Sequence, residues 1–147
     1  MDETTLDLRR ADGGDLSYVE RLLERNGLPT EDVRSKPECF YVVYDGENRV
    51  GIGGLETDGS VGLLRSVVVD RSVRGRGYGA RLCESLETKA RDVGVETLYL
   101  LTTTASEFFS GRDYIEIDRS DAPDAVRRTT EFTDLCPTTA TCMEKSL

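Results

Sequence analysis

Leu64-Arg65-Ser66-Val67-Val68-Val69-Asp70-Arg71-Ser72-Val73-Arg74-Gly75-Arg76-Gly77-Tyr78-Gly79-Ala80 reads as a strand, a loop with three alternating glycines, and the start of a helix. The run Val67 to Val69 predicts a strand end buried on both faces. Glycine lets the main chain take unusual angles and approach a ligand closely. A helix start presents unpaired N–H groups and the positive end of the dipole. Together these make an anion site of the kind that holds phosphates. From Val61 to Cys83, five arginines (Arg65, Arg71, Arg74, Arg76 and Arg81) stand against one acid, Asp70. Arginine suits bidentate phosphate contact.

Working outward, Tyr78 to Val93 predicts a long helix with Leu82, Cys83, Leu86 and Ala90 on one stripe, ended by Gly94. Val61 to Val69 before it and Val95 to Leu101 after it predict strands. This strand–helix–strand crossover should pair them in parallel. Phe40 to Tyr44 and Arg49 to Glu56 predict a hairpin through the turn chemistry of Asp45-Gly46-Glu47-Asn48. Near the start, Leu6 and Leu8 alternate with polar residues as a short strand. A first helix is expected to begin near Asp15 as N-cap, with Leu16, Val19, Leu22 and Leu23 inward, and to end at Asn26-Gly27. Thr30 to Arg34 reads as a second short helix stopped before Pro37. Thr104 to Ser110 reads as a short helix and Tyr114 to Ile117 as a strand. Ala122 to Phe132 reads as a helix after Asp121, and Thr138 to Met143 as the last strand. The fold class is α/β: a mixed, mostly antiparallel sheet with one parallel crossover and flanking helices, in a single domain over residues 1–147.

Composition narrows the chemistry. The 147 residues suit one core. A net charge of −9 repels nucleic acid and anionic lipid, so neither is an expected partner. Lysine is scarce (Lys36, Lys89 and Lys145) against 28 acidic residues, which fits a salt-adapted, halophilic proteome. No apolar run approaches the roughly 20 residues that cross a bilayer. Met1 to Arg10 is polar and acidic, unlike a signal peptide, so a cytoplasmic location is expected. The absence of histidine excludes Ser-His and Cys-His catalysis and His-ligated metal, and no metal is expected. Cys39, Cys83, Cys136 and Cys142 form no C-x-x-C pair, and disulfides are not expected.

Rival readings of the glycine loop fit less well. A Walker loop needs Gly-Lys-Ser/Thr, and no lysine is present. A dinucleotide fingerprint needs G-x-G-x-x-G, which Gly75-x-Gly77-x-Gly79 does not supply. Arg-Gly segments that bind RNA are usually disordered, whereas this one abuts a core strand. A structural turn with solvated arginines is the plain alternative.

Arg74, Gly77 and Gly79 match Arg/Gln-x-x-Gly-x-Gly/Ala between a strand and a helix, and the chain thereby resembles the GCN5-related N-acetyltransferase family. Leu8-Arg9-Arg10-Ala11 with Asp15 resembles the family's first strand and the start of its first helix. Ala105 to Tyr114 resembles its penultimate motif. Leu63 to Leu101, with Phe132-Thr133-Asp134-Leu135-Cys136-Pro137, is most similar to the arsenic-operon-associated subgroup.

The resemblance implies the family's fold, acetyl-CoA as cosubstrate, and transfer to an amine by direct attack. The main chain of Val67, Val68 and Val69 would pair with the pantetheine arm. The N–H groups of Arg74, Gly75, Arg76, Gly77, Tyr78 and Gly79 would hold the pyrophosphate, helped by arginine side chains. The strands of Val67 and Leu101 would splay to admit the thioester, and a main-chain N–H near Val67 would polarise its carbonyl. Phe109 stands among the coenzyme residues where the family often has a tyrosine acid; Tyr114 or a water could substitute. Asp113 replaces a common glycine.

Glu56 is a candidate base through water, with a solvated strand end as the plain alternative. Arg127 and Arg128 could engage an acidic acceptor or form a solvated helix face. Cys83 could be a nucleophile, though its place in the helix stripe favours packing. Cys136 and Cys142 could bind a soft thiophile, with ordinary packing favoured. The expected acceptor is a small-molecule amine, and the protein a monomer or homodimer. The alternatives are a catalytically weak acyl-CoA-binding or regulatory module, and an enzyme acting on protein N-termini or lysines.

Overall fold

The computed structural model describes residues 6–28, 30–31, 33–129, 132 and 140–147. Among these residues, seven strands form one sheet in the order β1-β2-β3-β4-β5-β7-β6. They are β1 (Asp7–Arg10), β2 (Phe40–Asp45), β3 (Asn48–Asp58), β4 (Val61–Val69), β5 (Thr97–Thr102), β6 (Ile115–Ile117) and β7 (Thr141–Ser146). The helices are α1 (Gly13–Arg25), α2 (Tyr78–Asp92), α3 (Ser106–Ser110) and α4 (Asp124–Arg127). Every neighbouring pair is antiparallel except β4 and β5, joined in parallel through α2. The expected mixed sheet and its crossover are present. Among the described residues, no helix is long and apolar enough to cross a membrane.

Helix α2 packs its predicted stripe (Leu82, Cys83, Leu86 and Ala90) against Tyr41, Val43, Val50, Leu55 and Leu64 on one sheet face. Helix α1 covers the other face, setting Leu16, Val19, Leu22 and Leu23 against Phe40, Val42, Ile52 and Val68. Further along that sheet, Val126 of α4 packs with Leu63, Tyr99 and Cys142. The close fit of α2 depends on glycines in β3. A Cβ on Gly53 would stand 2.5 Å from Leu86 Cδ1, and one on Gly51 2.4 Å from the Val68 carbonyl oxygen.

Local chemistry moved several boundaries. Asp12, not Asp15, is the N-cap of α1; its side chain accepts from Gly14 and Asp15 N–H, while Asp15 reaches back to the Asp12 N–H. Asp15 therefore sits at the reciprocal position of a capping box. The described part of 30–34 forms turns rather than a helix, and a short 3₁₀ turn follows at Pro37–Cys39. Where a helix is expected from Ala122 to Phe132, α4 follows Pro123 as an extended N-cap and gives way to a turn at Arg128, while 130 and 131 lie outside the described residues. The last strand is described from Thr141, after a bend at Ala140; Thr138 of the expected strand lies outside the described residues, as do Thr133 to Pro137 with Cys136. Of the three valines, Val68 alone is buried, while Val67 and Val69 are half-buried.

Candidate active site

The site begins where two strands part. β4 and β5 pair at Val61↔Thr97, Gly62↔Leu98 and Leu63↔Tyr99, yet β4 runs on to Val69 and β5 to Thr102. Beyond Leu63 the β5-facing main chain of β4 has no strand ladder with β5. The same stretch of β4 carries a bulge. Gly54 pairs with Arg65 and Ile52 with Val68, so Ser66 and Val67 together oppose Gly53. Ser66 is left-handed, with φ of 58°. A bulge bends the strand and leaves a residue unpaired. It also shifts the side-chain alternation: Leu64 and Val67 both pack with α2, while Val68 faces α1.

β4 then turns into α2 through a 3₁₀ turn at Arg71–Val73 and the glycine loop. Gly75 and Gly77 are left-handed, with φ of 83° and 80°, and Gly77 is the N-cap of α2. A Cβ at either would have no atom within 4 Å, so backbone angle rather than crowding calls for glycine there. The start of α2 has no side-chain cap. Its first N–H groups thus remain available to an anion, the condition that phosphate sites exploit.

Side chains hold this loop from behind. Asp70 accepts from the Ser72 N–H at 3.0 Å and from the Tyr18 hydroxyl at 2.8 Å. The Ser72 N–H in particular keeps the Asp70 carboxyl below its usual range. Arg74 donates through Nε to the Val69 carbonyl at 3.1 Å and through a terminal nitrogen to Asn26 Oδ1 at 2.7 Å. The Tyr78 hydroxyl donates to Asp45 of the β2–β3 hairpin.

The arginines counted in sequence do not converge. Arg71 and Arg76 are exposed on the loop. Arg81 lies over the Tyr78 ring at 5.1 Å. The Arg65 side chain is 1% exposed and turns to Glu56, which also accepts from Lys36; the distances are 3.0 and 3.1 Å. Glu56 is therefore an ion-paired group, not a solvated strand end. It borders two pockets, one of about 180 Å³ shared with Leu63 and α4, the other of about 390 Å³ shared with Arg10, Lys36 and Cys39.

The aromatic pair of α3 divides its work. Phe109 packs in the core between Phe108 and Tyr114, at ring distances of 5.2 and 5.4 Å. Phe108 is 41% exposed, and its ring reaches within 3.5 Å of where a Gly79 Cβ would be. Phe108, which the sequence reading passed over, is thus the aromatic beside the first turn of α2.

Tyr114 does not present a free acid. It is buried, and its hydroxyl donates to Glu87 at 3.0 Å. Burial and the Glu87 charge push its pKa upward. Cys83 is fully buried, and burial raises its thiol to about 12, which favours packing over nucleophilic use. Cys142 is buried in the sheet. Arg127 pairs with Asp124 on an exposed helix face. The described residues contain no group of three or more His, Cys, Asp or Glu placed to hold a metal.

Sequence reasoning missed Asn26, Tyr18, Ser66 and the β3 glycines. A signal existed for the last: Gly51-Ile52-Gly53-Gly54 inside a strand marks close backbone approach.

Residues 6–114 match the model of the acetyltransferase (GNAT) family. An amino-acid acetyltransferase of Neisseria meningitidis is 26% identical over 135 residues, covering 86% of this chain and 31% of that protein. N-acetylglutamate synthase of Neisseria gonorrhoeae, solved with coenzyme A and N-acetyl-glutamate, superposes with a TM-score of 0.82 at 22% identity, over 99% of this chain and 36% of that one. A Mycobacterium tuberculosis protein solved in complex with CoA superposes with a TM-score of 0.77 at 24% identity, over 96% of this chain and 99% of that one. The chain spans about a third of the length of both Neisseria proteins. At these identities the structural likeness shows the fold.

Proposed function

Because the chain belongs to the acetyltransferase (GNAT) family, we propose that residues 1–147 form one domain that transfers an acetyl group from acetyl-CoA to the amine of a small, amino-acid-like molecule by direct attack. One observation carries the reading. The uncapped start of α2, with left-handed Gly75 and Gly77, follows β4, whose stretch past Leu63 has left its pairing with β5.

In this reading the N–H groups from Gly75 to Gly79 hold the coenzyme's diphosphate, the Arg74 N–H of the sequence-based expectation being spent on the Arg71 carbonyl. The β5-facing main chain of β4 from Val67 to Val69 pairs with the pantetheine arm. A main-chain N–H near Val67, re-aimed by the Ser66 bulge, polarises the acyl carbonyl. One such donor lowers the barrier by about 3 kcal/mol. Phe108 lies beside the diphosphate end, with Phe109 supporting it from the core.

Chemistry at the acceptor needs little more from the chain. An α-amine of pKa about 8 is about one-tenth neutral at pH 7. Glu56, its oxygens fixed by Lys36 and Arg65, is the candidate to relay the amine's proton through water. A thiol of pKa about 8.5 leaves readily as thiolate, so the phenylalanine at 109 is compatible with turnover. The amino-acid acetyltransferase names of the relatives support an amino-acid-like acceptor.

The test is calorimetric titration with coenzyme A, then thiol release from acetyl-CoA across an amine panel. The panel holds free amino acids, peptides, and an arsenical amine, the acceptor that the arsenic-operon resemblance implies. Binding with turnover on a free amine is the expected result. Tight binding without turnover on any acceptor, or transfer to peptides alone, would overturn the small-molecule reading.

A further inference from the structure

The fingerprint arginine is exposed, yet its guanidinium turns back onto the protein. Two of the guanidinium donors of Arg74 are spent on the protein, one on the last carbonyl of β4 and one on Asn26. These contacts fix Arg74 at the residue immediately before Gly75-Arg76-Gly77. That is where the chain is freest and where its N–H groups must be aimed. Ordering a glycine segment at the moment of binding costs affinity, and a segment ordered in advance avoids that cost.

Asn26 suits the task because its amide has two different ends. Its Nδ2 donates to the Leu22 carbonyl at 2.8 Å and finishes α1, which leaves Oδ1 to accept from Arg74. An amide offers a donor and an acceptor on separate atoms. Tyr18 adds a parallel tie from α1 to Asp70 at the other end of the loop. We propose that Asn26 is a positioning residue for coenzyme binding, acting through Arg74 on the main-chain donors of the loop. This rests on the reading of the loop as the coenzyme site.

The two substitutions at this position separate positioning from stability. Asn26→Ala removes both ends of the amide. Asn26→Asp keeps an acceptor for Arg74 but loses the donor to Leu22. Calorimetry with coenzyme A is expected to show Asn26→Ala binding about five-fold more weakly, the worth of one exposed hydrogen bond. Asn26→Asp should retain wild-type affinity while unfolding at lower urea. In a double-mutant cycle, Asn26→Ala with Arg74→Ala should bind no more weakly than Arg74→Ala alone. The KM for acetyl-CoA should rise with the dissociation constant, and kcat should change less.

Asn26 is solvent-exposed, so the variants remain folded, which circular dichroism verifies. Unchanged affinity in Asn26→Ala, equal loss in Asn26→Asp, or additive losses in the double variant would each overturn the proposal. Failure of the unsubstituted protein to bind coenzyme A would instead overturn the coenzyme reading itself.

Discussion

Tyr114 and Glu87 show how a single residue's neighbours set its role. The Tyr114 hydroxyl sits in a buried group with Glu87, which also accepts from Lys145 at 2.9 Å. A hydroxyl committed to a buried carboxylate is a structural donor, because moving its proton elsewhere leaves that carboxylate short of a partner. Tyr114→Phe is therefore expected to lower stability by about 1–3 kcal/mol in urea denaturation. The pH profile of acetyl transfer should keep its shape. Loss of the alkaline limb in that variant would assign the acid to Tyr114 instead. Asp113, beside it, holds a φ of 74°, a conformation aspartate tolerates better than most residues, and so the turn survives without glycine.

Among the elements, α2 links fold and site. Its N-terminus forms the proposed diphosphate cradle, and its middle lies against β3 where glycines remove all side chains from the path. Gly53→Ala would place a methyl 2.5 Å from Leu86 Cδ1 in a fully buried contact. Overpacking of this kind costs about 1–3 kcal/mol. The expected outcome is a lower urea midpoint together with weaker coenzyme A binding, since relief of the clash displaces the helix that carries the N–H groups. A variant destabilised to that degree with unchanged coenzyme affinity would show that the helix start is held independently, by Tyr78 and Arg74.

Across the whole molecule, buried proton donors make stability sensitive to alkali. Burial, then the Glu87 charge, raises Cys83 from 9.0 to about 12. Burial also raises Tyr114 and Tyr18, helped by Glu87 and Asp70 respectively. As pH rises past these groups' unfolded values, the unfolded chain loses protons that the folded chain keeps. The unfolded state then binds fewer protons, and stability falls with rising pH. Urea midpoints should therefore decline from about pH 9 upward, and Cys83→Ala should flatten the first part of that decline. A midpoint independent of pH from 8 to 11 would contradict this. Asp70 acts at the acid end: its lowered pKa contributes stability that is present above the unfolded carboxyl value and is lost as pH falls through the folded one.

Much of the architecture was legible in the chain because its signals are local. Periodicity placed β4 and α2 to within a residue, turn chemistry placed the β2–β3 hairpin, and the crossover fixed the one parallel pair. The glycine loop declared itself through residues whose backbone freedom is intrinsic. Where a polar side chain turns is a different matter, because partners far apart in sequence decide it. Arg65, on β4, turned to Glu56, Arg74 turned back to Asn26, and Phe109 went inward while Phe108 stayed exposed beside α2. The Ser66 bulge likewise came from the register of β3 against β4, which no single strand encodes. Sequence determined the hairpin, the crossover strands with α2 and the glycine loop, through local conformational preference. Tertiary structure alone decided which charges stay beside that loop, because long-range packing and pairing set each side chain's direction.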